Sequence, residues 1–95
     1  MKSIMQKEKE CYLCRKLYGR YVDLPNYGLE VHHVIPGVAR RAKSDQYGLM
    51  VHLCTRHHRE IHSSKGSRMM EALKQEGKET FIHKYSEEEY IKEFM

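Results

Sequence analysis

Leu53-Cys54-Thr55-Arg56-His57-His58-Arg59-Glu60-Ile61-His62 is the stretch on which the reading of this chain turns. It contains no Gly or Pro, so a helix is expected to start near Thr55, with Thr55 as its N-cap, and to stop by Gly66. Cys54 and His57 stand three apart, the spacing at which a tight turn aims two side chains at one metal. On the helix His58 and His62 are i and i+4, so both imidazoles project from one face.

Working outward, Cys11-x-x-Cys14 supplies a second half-site, separated from Cys54 by 39 intervening residues. Together the two pairs use every Cys in the chain and offer four soft or borderline donors, for which tetrahedral zinc is the expected occupant. Three Cys make an odd count, and Met1 to Glu10 is charged where an export signal would be apolar, so a disulfide framework is not expected. A closed site of Cys11, Cys14, Cys54 and His57 is a fold element rather than a catalyst, because it keeps no open position.

The chain needs such an element. In 95 residues there are no Trp and only two Phe, 32% of the residues are charged, and the core is thin for one small domain. No run reaches the length of a membrane span, which argues against a membrane partner and, with the charged start, for a cytoplasmic protein. The net charge of +4 is uneven: residues 1–66 hold twelve Lys/Arg against six Asp/Glu, and residues 67–95 hold five against seven. A basic front favours a polyanionic partner.

Residues 1–10 are expected as a flexible lead-in, 11–66 as the core with its zinc knuckle, and 67–95 as a helical tail packed on that core in the same domain. Arg15 to Asn26, with Tyr21, Val22 and Pro25, reads as a turn and irregular connection, and Gly37 to Gly48 as a loop holding at most a helical turn. Leu29–Ile35 and Leu49–Leu53 are β-prone and are expected to pair as an antiparallel hairpin with a long connection. In the tail a helix is expected from Ser67 to about Gln75, an interruption at Gly77, and further helical pieces, the last opened by Ser86-x-x-Glu89 as a capping box. The fold class is therefore α+β.

Six of the seven His lie between positions 32 and 62, and the zinc knuckle uses only His57. On a strand His32 and His33 point to opposite faces, so at most one joins His58 and His62 on a shared cation while its neighbour keeps a free nitrogen beside the site. Imidazoles around an ion with open positions, flanked by an uncoordinated His, are a hydrolytic arrangement.

His32-His33-Val34-Ile35-Pro36, followed by the stretch from Leu53 to His62, resembles the HNH endonuclease family with its ββα-metal fold. With its Tyr47-Gly48 step and zinc knuckle, the chain is most similar to small bacteriophage and prophage members, and the resemblance covers about Cys11 to Ser63. It implies a metal-dependent endonuclease that hydrolyses phosphodiester bonds in DNA inside a bacterial host cell. His33 matches the general base; His32, His58 and His62 match ligands of a divalent ion, which could be Mg²⁺, Mn²⁺, Ni²⁺ or Zn²⁺. Arg40, Arg41, Lys43, Arg56 and Arg59 are candidates for DNA phosphate contacts.

Two positions depart from the family pattern. His32 stands where many members have Asp, which leaves Mg²⁺ less favoured on ligand grounds. The family's central Asn is missing: the matching offset falls on Leu49, and the only Asn is Asn26. Ser44, Asp45, Gln46 and His52 are the candidates to replace it as the brace of the base histidine. Two competing readings are a zinc-stabilised DNA-binding module of the same fold that has lost cleavage, and an adaptor that binds protein through its acidic tail.

Overall fold

β-branched and apolar residues build the short runs Leu29–His33 (β1) and Met50–Cys54 (β2), which pair antiparallel in a two-stranded sheet with Leu29 opposite Cys54 and His33 opposite Met50. The computed structural model describes residues 2–19, 24, 27–37 and 40–95, so Tyr21, Val22, Pro25 and Asn26 lie outside the described residues. Among the described residues there are five α-helices: α1 (Tyr12–Tyr18), α2 (Arg41–Tyr47), α3 (Thr55–Ile61), α4 (Ser67–Lys84) and α5 (Glu87–Phe94). The chain is thus a small α+β domain, and no described helix is long and apolar enough to cross a membrane.

The structure extends the helices beyond what local pattern suggested. The stretch after Cys11, expected as a turn, is α1, opened by the Cys11 thiol accepting from the Cys14 N–H at 3.4 Å and closed by Gly19 at φ 84°. The expected loop before Gly48 contains the full helix α2, which buries Ser44 and ends on Gly48 in the left-handed region. Cys54 rather than Thr55 occupies the N-cap of α3, and α3 is followed by a 3₁₀ turn at Ser64–Gly66.

Gly77 was expected to interrupt the tail, yet α4 runs through it. A Cβ there would lie 2.6 Å from Val34 Cγ2, so the glycine serves close approach of helix to sheet rather than termination. Ser86 does cap α5, its hydroxyl accepting from the Glu89 N–H at 3.0 Å, with Glu87, Glu88 and Glu89 in the favourable first turn.

The core is built on β2 and the residues before it: Leu49, Met50, Val51 and Leu53 are fully buried, joined by Val34, Ile35, Ile61 and Leu73. The tail adds an aromatic cluster in which Phe81 meets Tyr47, Tyr85, Tyr90 and Phe94 at centroid distances of 4.7–5.7 Å. Lys43 on α2 pairs with Glu93 on α5 beside that cluster.

Residues 2–10, expected as a flexible lead-in, are laid along the outer edge of β2. The Ile4 N–H donates to the Gly48 carbonyl at 2.9 Å, the Ser3 hydroxyl to the Met50 carbonyl at 2.5 Å, and the His52 N–H to Gln6 Oε1 at 2.6 Å. The bonds at Met50 and His52 satisfy edge groups of β2 that a bare strand would leave open.

Candidate metal centres

Helix α3 presents two adjacent histidines to two different clusters. Successive residues on a helix are turned by about 100°, so His57 and His58 face apart. His57 is 1% exposed, and its Nδ1 lies 3.4 Å from Cys11 Sγ, 3.3 Å from Cys14 Sγ and 3.4 Å from Cys54 Sγ. Cys14 and Cys54 sulfurs are 3.9 Å apart. The N-cap turn of α1 supplies two of these donors and the N-cap turn of α3 the other two. The four sequence-predicted residues therefore converge on a point that could hold a metal ion.

The Cys14 thiol is pushed up to about 12, first by burial and then by the neighbouring Cys11 and Cys54. Burial also opposes ionisation of Cys54, but the backbone N–H of His57 and the two other thiols outweigh it and hold Cys54 below the ordinary thiol value. Burial, then the Arg56 charge, lowers His57, with Glu60 opposing, so the imidazole stays neutral with its lone pair available. Three crowded thiols and a neutral imidazole are stabilised as ligands only when a cation shares the site.

The second cluster lies on the other side of α3. His32 from β1 joins His58 and His62, with ring centroids at 5.6, 5.6 and 5.1 Å and donor atoms all within 4.8 Å of one another. His32 is 6% exposed, and its Nε2 is buried without a hydrogen-bond partner. Its pKa is lowered to about 4, by burial first and then by His58, His62 and His33. His62 is exposed, so this cluster opens to solvent where the first is closed.

His58 in this cluster and His33 beside it are each held by a carboxylate. Glu30 Oε1 lies 2.8 Å from His58 Nδ1, and Asp45 Oδ1 lies 2.8 Å from His33 Nε2. A carboxylate only accepts, so the imidazole hydrogens are assigned to those nitrogens, leaving His58 Nε2 and His33 Nδ1 with free lone pairs. Of the candidates for the brace, Asp45 on α2 is the one that contacts His33; Ser44 is buried, and His52 lies on β2 opposite Val31. Glu30 escaped the sequence reading, although it stands two residues before His32 and therefore on the same strand face.

His32, His33, His58, His62 and Arg41 line one cleft of about 530 Å³. The other cations predicted to contact phosphate are dispersed. Arg40 stands at the N-cap position of α2 without a side-chain capping bond, Lys43 pairs with Glu93, and Arg56 donates to the Tyr18 hydroxyl at 3.0 Å, while Arg59 is exposed on α3. Comparison with protein-family models, with curated proteins and with solved structures gave no match.

Proposed function

We propose that the chain is a metal-dependent endonuclease of the HNH type, a zinc-stapled ββα-metal domain acting on DNA. The observation that carries the reading is the open cleft in which the orphaned His32 Nε2 meets His58 and His62 beside an Asp45-held His33. The closed cluster is the structural zinc site. Tetrahedral bonds of about 2.3 Å to sulfur and about 2.0 Å to nitrogen imply edges of about 3.8 Å between sulfurs and about 3.5 Å between sulfur and nitrogen. The observed 3.9 Å and 3.3–3.4 Å fit that figure.

In the open cleft, three neutral imidazoles would hold one divalent ion, and favour Zn²⁺, Ni²⁺ or Mn²⁺ over Mg²⁺. Bound there, the ion supplies positive charge against the phosphate oxygen and the departing 3′ oxygen. His33 takes the proton of the attacking water at Nδ1, while Asp45 fixes its tautomer through Nε2–H. Arg41, lining the same cleft, orients the phosphate. Contacts of this kind position a strand without reading bases, so the domain cleaves with little sequence preference.

The test is nicking of supercoiled plasmid with added Mn²⁺, Ni²⁺, Zn²⁺ or Mg²⁺. His33→Ala is expected to slow cleavage by roughly 10²–10⁴-fold with both metal contents intact, and Asp45→Ala to fall between it and the wild type. No cleavage by the wild-type chain with any of these ions refutes the enzyme and leaves a DNA-binding module.

A further inference from the structure

We propose that Lys2, Lys7 and Lys9, gathered around His52, form a second phosphate-binding subsite, and that a nucleic acid strand crosses the sheet from the histidine cleft to it. The polyanionic identity of the partner rests on the nuclease reading; the surface itself rests on four observations.

The first is place. Val31 lines the histidine cleft, and His52 lines a separate hollow of about 490 Å³ with the three lysines. Val31 and His52 are directly paired across the strands. Paired residues share a sheet face with Cβ atoms about 5 Å apart, so the two concavities adjoin over this pair, and Val31 is exposed between them.

The second is free charge. Among the described residues Lys2, Lys7 and Lys9 have no ion pair or hydrogen-bond partner, whereas Lys16 is held by Glu76 and Lys43 by Glu93. Among the described residues Glu8 is the single carboxylate lining the hollow, and the nearby Glu10 is occupied by Arg15. The third is an unmet polar atom: His52 Nδ1 is buried with no partner. The fourth is anchoring. Ser3, Ile4 and Gln6 bind the β2 edge, so the lysines stand on a segment tied to the sheet rather than on a free tail.

Phosphates bound by such cations release counterions, which makes the affinity fall with salt in proportion to the number of contacts. The measurement is anisotropy of a labelled 20-base-pair duplex, titrated with zinc-loaded, slow-cleaving His33→Ala chain over a series of salt concentrations. Lys7→Gln/Lys9→Gln on that background is expected to weaken binding about tenfold at low salt and flatten the log–log salt slope by about 1.8 for duplex DNA. Lys65→Gln/Lys92→Gln, with the same change in net charge, is expected to leave the slope nearly unchanged. Equal effects of the two pairs, or no salt-dependent binding by the parent, overturns the subsite. Hydrolysis of a small activated phosphodiester, which reaches only the histidine cleft, is measured separately on wild-type and Lys7→Gln/Lys9→Gln chains. If no chain hydrolyses it while the lysine pair still sets the salt slope, the catalytic reading fails and the subsite stands.

Discussion

His57 and His58 are neighbours in sequence and members of opposite kinds of site. His57 is buried among three sulfurs and completes a set of four donors. His58 is half-buried, shares its cluster with two imidazoles, and is steered by a carboxylate on the adjacent strand. The contrast between these two clusters on one helix is one of donor number and closure. Four inward donors leave a metal nothing to do but hold chain ends together, whereas three donors with an exposed edge leave coordination positions for water or substrate.

Removing the closed site is the largest expected effect. Structural zinc binding in small domains is worth on the order of 10 kcal/mol, which exceeds the total stability of many domains. Cys54→Ser removes one of the four candidate donors, at the N-cap of α3, and is expected to abolish tight zinc binding and most helical circular dichroism. Retention of full zinc content and an unchanged Tm in that variant would remove the Cys11, Cys14, Cys54 and His57 cluster from the account of stability.

Next comes the division between the two histidines and the part played by Glu30. His58→Ala is expected to keep one zinc per chain and lose the second metal, because the neighbouring His57 serves the other cluster. Glu30→Gln keeps all three imidazoles but weakens the acceptor that fixes the His58 tautomer. Loss of such an orienting carboxylate typically costs 10–100-fold in metal affinity, and that range is expected for the second ion, read by Co²⁺ titration of zinc-loaded chain. Equal second-site affinity in wild type and Glu30→Gln would mean that Glu30 is a surface carboxylate with no hold on the metal.

Much of this arrangement was legible because it is written in short spacings. Cys11-x-x-Cys14, Cys54-x-x-His57 and the i, i+4 pair His58 and His62 each specify their own geometry once a turn or helix is assumed. Residues whose roles depend on tertiary placement were not legible in the same way. Asp45 reaches His33 because α2 forms where charges and flanking glycines suggested a loop, and Ser3 and Gln6 find the β2 edge through contacts 46–47 residues apart. Gly77 illustrates the same limit. Its local preference is to end a helix, but packing against Val34 selects a residue without a side chain inside one.

The smallest expected effect follows from the burial of His32 and separates the open cluster from the closed one by pH. In chain given one zinc equivalent, which the cysteine cluster is expected to take, burial lowers His32 to about 4, against about 6.5 in an unfolded chain. The unfolded state therefore binds the extra proton first, and stability from this group is complete above pH 6.5 and is lost as pH falls toward 4. Between pH 7 and 5.5 the loss is on the order of 1 kcal/mol from this residue. Acid displacement of the metal from His57 would contribute with the same sign, so the wild-type curve alone does not assign the effect. His32→Gln supplies the difference, since its amide stays uncharged across the range. The difference in unfolding free energy between the two chains is expected to shrink by on the order of 1 kcal/mol from pH 7 to 5.5. A difference constant with pH would mean that His32 is as easily protonated in the fold as outside it, and that the cluster around it is open to water on both sides.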